Sequence, residues 1–138
     1  MWVFYALLSA FFAALVAILA KLGMSGIDSN LATAIRTVVI LLLTWGVVFC
    51  TLPLSAVKSL STANWTFLVL SGLATGLSWL FYFKALQLGP VSRVAPLDKL
   101  SVALAIVLAF VILGEKASWQ IAVGGILIVL GSLCMIAG

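Results

Sequence analysis

Few residues in this sequence can do chemistry, and most of those are charges set in apolar surroundings. The 138 residues include seven Lys or Arg, three Asp or Glu and no His. Lys84, Arg93, Asp98, Lys99, Glu115 and Lys116 all fall within the stretch from Trp79 to Lys116. Asp98 and Lys99 stand near the start of an otherwise apolar run, and Arg36 stands inside another. A charge in hydrocarbon costs roughly 2.5–3.5 kcal/mol on insertion scales, so such a residue marks a functional site by default. Arg36, Lys84 and Lys99 offer positive charge to a carboxylate or phosphate, and Asp98 offers a counter-charge or a proton-carrying carboxylate. Trp79 and Phe83 share one helical face at i, i+4, as do Ser78 and Tyr82. Trp79, Tyr82 and Phe83 therefore suit the wall of an amphipathic pocket, and equally an interfacial aromatic belt.

These groups suit binding and not bond-making. There is no Ser-His or Cys-His pairing and no carboxylate pair at a workable spacing, so an enzyme is the weakest reading. Cys50 and Cys134 lack CxxC spacing, and without His they do not make a metal or redox site. They are expected to be small apolar fillers, and neither metal nor cofactor is expected.

The elements that must position these residues follow from composition. The chain is 66% hydrophobic and 7% charged, with a mean hydropathy of +1.41, against roughly 25% charged residues in soluble domains. A soluble fold of this size has no interior for so much apolar surface; a bilayer does. The apolar runs are too long and unbroken for barrel strands, which alternate over about 10 residues. Each segment must satisfy its own backbone in hydrocarbon, so the fold class is an all-α integral membrane protein with five transmembrane helices. The net charge of +4 lies at helix ends and within spans. It forms no contiguous basic face, and nucleic acid is not an expected partner. Membrane lipid is.

The expected spans are Trp2 to Leu22, Leu31 to Thr51, Trp65 to Leu88, Val91 to Leu113 and Trp119 to Ile136. At 1.5 Å per residue, about 20 residues cross a core of about 30 Å. The first span follows Met1 without a basic n-region and is read as a retained helix and not a signal peptide. Ala10, Ala13, Ala14 and Ala17 give it a small-residue face. Asp28, Ser29 or Asn30 can cap the second helix. Arg36 lies more than a turn inside that helix, where it either snorkels to headgroups or faces a polar cavity. Gly72 and Gly76 form a GxxxG pair, and Gly124, Gly125 and Gly131 offer a packing face on the last span. Pro96 either breaks the fourth span, as in the discontinuous helices of transporter sites, or sits harmlessly in its first turn. Neighbouring positions differ by about 100° on a helix, so Asp98 is expected to meet Arg36 or Lys84 and not Lys99.

An odd number of spans places the termini on opposite sides. The full count of basic residues favours an outside N-terminus and a cytoplasmic C-terminus. If Arg36, Lys84 and Lys99 lie within the membrane the bias is nearly balanced, which allows insertion both ways and an antiparallel dimer.

The stretch Tyr82-Phe83-Lys84-Ala85-Leu86, then Gly89-Pro90-Val91-Ser92, Val94-Ala95-Pro96-Leu97 and Gly114-Glu115, resembles the EamA domain of the drug/metabolite transporter superfamily. Arg36 and the small residues of the first span are similar to that pattern too. The resemblance is closest over residues 79–116, and the five-span layout fits residues 1–138 as a single EamA-like domain. It implies a secondary transporter of small metabolites or drugs in the cell (inner or plasma) membrane, with export favoured. Most family members carry two such units of inverted topology. A chain with one unit is implied to act as an antiparallel homodimer by alternating access, with its small-molecule substrate near the midplane. Asp98 and Lys99 stand where the general pattern has smaller or less charged residues. The competing functions are a subunit of a lipid-linked carrier flippase and a non-transporting membrane scaffold.

Overall fold

The computed structural model describes residues 1–137. Seven helices follow in order: α1 (Trp2–Gly23), α2 (Ser29–Thr51), α3 (Ser55–Lys58), α4 (Thr62–Leu88), α5 (Val91–Asp98), α6 (Leu100–Ile112) and α7 (Trp119–Ala137). There is no strand among the described residues. Five stretches are long and apolar enough to cross a membrane: α1, α2, α4, α5 with α6 as Val91–Ile112, and α7. The protein is an all-α, multi-pass membrane protein.

The helix ends follow local chemistry. Asp28 caps α2, its Oδ1 accepting from the Asn30 backbone N–H at 2.8 Å, which satisfies one of the donors every helix start leaves over. Ser118 does the same for α7, its Oγ accepting from Ile121 N at 3.3 Å. The end of α6 is closed by two bonds to Ala109 O, from Leu113 N at 3.1 Å and from Glu115 N at 3.2 Å. The second spans six residues and requires Gly114 in the left-handed region, at φ +66°, a conformation that costs other residues about 1–2 kcal/mol. The charged turn at Glu115 and Lys116 is therefore helix punctuation.

The chain divides into two compact units, one made of Met1–Lys21 with the chain from Leu88 onward, the other of Leu22–Gln87. In the first, α5 and α6 pack on α7. A Cβ at Gly125 would sit 3.5 Å from Ile106 Cδ1, whereas nothing lies within 4 Å of the same position at Gly124 or Gly131. Of the three glycines expected to offer the packing face of α7, Gly125 is the one that meets a neighbour. Gly72 and Gly76 likewise face open space within the chain. On α1 the buried alanines are Ala17 and Ala20, while Ala10, Ala13 and Ala14 are exposed. Cys50 and Cys134 are free and exposed, so they do not fill a packed interior as expected.

In the second unit Phe83 and Leu86 of α4 are the most deeply buried large apolar side chains, at 1% and 0% exposure. They lie three residues apart, on one face of the helix. Ser29 and Thr33 are the buried polar residues of α2. Thr33 Oγ1 donates to Ser29 O at 2.7 Å and Thr37 Oγ1 to Thr33 O at 2.8 Å, so the two threonine hydroxyls are satisfied within their own helix, whereas Ser29 Oγ has no partner.

Candidate functional site

The expected site residues fall into two groups, each inside one unit. Arg36, Trp79, Tyr82, Phe83 and Lys84 belong to the unit Leu22–Gln87; Pro96, Asp98 and Lys99 belong to the other.

In the first group α2 supplies Arg36 and the last three turns of α4 supply the aromatics. The Arg36 Cζ lies 4.2 Å from the centroid of the Phe83 ring, within the range of a cation–π contact. Tyr82 meets Phe83 edge to face, centroids 5.3 Å apart at 64°, the arrangement aromatic quadrupoles favour. Phe83 is buried, Trp79 and Tyr82 are half-buried, and Arg36 is half-buried with an Nε that makes no hydrogen bond. Lys84 is exposed, and its Nζ lies 3.4 Å from Gln87 Oε1. Gln87 Nε2 in turn donates to Ile27 O at 2.7 Å. That bond ties the end of α4 to the α1–α2 turn, a role the sequence pattern did not point to.

In the second group the expected pairing is corrected. Asp98 pairs with Lys99, Nζ to Oδ2 at 3.5 Å, although the two were expected to face apart. The rule that adjacent residues face apart applies inside a regular helix, and the helix stops here. Lys99 ends α5 and precedes α6 with φ −69° and ψ −8°, off the helical ψ of about −42°. Lys99 N bonds to Pro96 O at 3.0 Å, and Val102 N to Lys99 O at 3.0 Å, both reaching three residues and not four. Pro96 is the sixth residue of α5; it gives Ser92 O no donor and lies beyond the first turn where it would be harmless. The fourth span is discontinuous, and the break falls at Lys99, just past the proline.

The break is stabilised from two directions. Lys99 stands at the C-terminus of α5, where the helix dipole favours a cation, and Asp98 stands ahead of α6, where it favours an anion. Ser132 of α7, buried at 5% exposure, donates its Oγ–H to Pro96 O at 2.9 Å. An unbroken helix would fill that carbonyl from Leu100 N. Sequence reasoning missed Ser132, because one serine in an apolar helix carries no local signal. Ser132→Ala is expected to lower stability by about 0.6–1 kcal/mol, and Ser132→Thr, which keeps the donor, to restore it; unfolding of both in detergent checks this. Lys21 of α1 adds a further tie, Nζ donating to Gly89 O at 2.9 Å in the turn that leads into α5.

A span broken beside a charge pair and an arginine over an aromatic ring set ionised groups within the spans. Residues 1–137 match the EamA-like transporter family. The chain belongs to the EamA-like transporter family. It is 48% identical over 134 residues to a Sinorhizobium sp protein named "Uncharacterized transporter in cobO 3'region", a match covering 97% of this chain and 95% of that relative. No solved structure matches the chain. Membership places this EamA-like protein in the drug/metabolite transporter superfamily as a membrane transporter.

Proposed function

We propose that this transporter moves small organic metabolites or drugs, in the export direction, by alternating access as an antiparallel homodimer in the cell membrane. The observation that carries the reading is the break at Lys99. Asp98 lies seven residues after Val91, about 10 Å into the span, and the pair is not enclosed by its own chain: the side chains of Lys99 and Asp98 are 55% and 36% exposed. Ionised groups within a span face a water-filled cavity or a protein neighbour. A broken helix supplies backbone carbonyls and helix ends at the same depth. At most 11% of the residues in any span's apolar window are buried by the chain itself, so the spans have surface to give to a second copy. The near-balanced distribution of basic residues permits the two orientations an antiparallel pair needs.

Purified protein in proteoliposomes is expected to catalyse counterflow of at least one solute in a broad organic screen. Tags at both termini in cells are expected to report each terminus on both faces of the membrane. No counterflow for any solute defeats the transport mechanism, and a single orientation defeats the antiparallel dimer.

A further inference from the structure

We propose that Arg36 over Phe83 is a seat for one oxyanion, a carboxylate carried on an apolar or aromatic body. This deepens the transport reading by naming the chemistry of its solute, but binding is measurable without transport.

Arg36 lies seven residues into α2, about 10 Å from its start. Side chains lean toward the helix N-terminus, which brings the guanidinium back toward the Ser29 end and onto Phe83, five residues before the end of α4. The Cζ-to-centroid distance of 4.2 Å fixes the head group against a ring that is 1% exposed. An arginine reaching only for headgroups has no need of this anchor. The contact holds one face of the cation and leaves its in-plane N–H donors to be satisfied otherwise.

Among the described residues of its own unit no carboxylate pairs with Arg36. Of the chain's three acidic residues, Asp28 accepts from Asn30 N at the cap of α2, Asp98 pairs with Lys99, and Glu115 lies in the turn after α6. Among the described residues the Asp98–Lys99 pair is the one ion pair, and Arg36 Nε makes no hydrogen bond. Ser29 Oγ, on the same face of α2 and in a residue with 0% exposure, has no partner either. A permanent cation in an apolar span without a counter-ion is a binding site for one.

The shape of the seat selects the ligand. A guanidinium fork matches a planar carboxylate with two parallel hydrogen bonds. Lys84, next to Phe83 in sequence, stands about 100° round the helix from it and is exposed, so the cation against the ring is Arg36, and one such charge suits a monoanion. Phe83, Tyr82 and Trp79 give the remainder of the ligand apolar surface to lie on. A lipid phosphodiester is also a monoanionic oxyanion, and the test must separate the two sources.

The probe is benzoate, with benzamide and benzylamine as its neutral and cationic counterparts, titrated calorimetrically into the full chain in phosphatidylcholine nanodiscs. Benzoate is expected to bind about tenfold or more tightly than either counterpart. Arg36→Gln is expected to lose that preference, and Arg36→Lys, which keeps the charge but not the fork, to retain part of it. Phe83→Leu is expected to weaken benzoate several-fold with the preference for the anion intact. Circular dichroism melts identify any variant that does not fold, in which case Arg36→Lys carries the comparison. Equal binding of benzoate and benzamide, or equal benzoate binding by wild type and Arg36→Gln, overturns the seat. Replacing a third of the lipid by phosphatidylglycerol is expected to leave benzoate affinity unchanged; its loss in that membrane, with Arg36-dependent retention of phosphatidylglycerol, assigns the seat to lipid and overturns the solute. Binding without benzoate movement or exchange in proteoliposomes leaves the seat standing and counts against transport through it.

Discussion

Asp98→Asn and Lys99→Gln are each expected to slow solute counterflow at least about tenfold, and the double replacement to slow it less than either alone. The pair itself is worth little: it is short-range, half-exposed and made between neighbours, and such pairs contribute about 0–1 kcal/mol. The cost lies in breaking it. Each single replacement leaves one unpaired ion inside a span, at up to about 3 kcal/mol, whereas the double replacement leaves none. An unpaired ion held against hydrocarbon also favours whichever arrangement of the break wets it, so the two sides of the cycle are no longer matched in energy. The double variant removes both charges and keeps the break, whose proline and Ser132 tie are untouched. Initial rates at matched protein content, beside melting curves, separate a transport effect from misfolding. A scaffold, which moves nothing, predicts that all three variants support their complex at the wild-type level.

Phe83→Ala is expected to cause one of the largest losses of stability of any single replacement, about 2 kcal/mol, while Phe81→Ala changes stability by less than about 0.5 kcal/mol. The two residues stand two apart on α4, but Phe83 is 1% exposed and Phe81 is 74% exposed. In a soluble core a Phe→Ala change costs about 3–5 kcal/mol, part transfer and part cavity. In a bilayer the lipid tails are as apolar as the side chain, so the transfer part falls away and the packing part remains, near the low end. Loss of the Arg36 contact adds to it. Unfolding of the two variants in mixed micelles gives the comparison directly, and near-equal midpoints would show that the Arg36–Phe83 contact does not hold α2 to α4.

The contrast between those two phenylalanines also marks what sequence could not supply. The five spans were legible because hydrocarbon demands a length and an apolar composition that no other element meets, and the expected bounds fall within three residues of the helices found, Thr62 against Trp65 being the widest gap. The cap of α2 was legible as one of Asp28, Ser29 and Asn30, because a short polar side chain before an apolar run has few other uses. The break was only half legible: Pro96 announces a fault, but its position depends on where the backbone recovers, which is Lys99. Burying Phe83 and not Phe81, Gly125 and not Gly131, or pairing Pro96 O with Ser132 depends on which helix lies alongside. In spans that are apolar all round, periodicity carries almost none of that information. The Asp98–Lys99 pair was misread for a related reason, since a rule for regular helices was applied at the point where the helix stops.

The pair has one more consequence, which is electrical. A unit charge carried across a membrane potential does work of about 2.3 kcal/mol for every 100 mV. Asp98 and Lys99, adjacent in sequence and joined at 3.5 Å, sum to zero, so a segment that carries them through the field together does no net work against it. Separating them, or neutralising one, would make the motion of that segment voltage-dependent. If the segment moves as proposed, the pair keeps ionised side chains in it without tying that motion to the voltage of the cell.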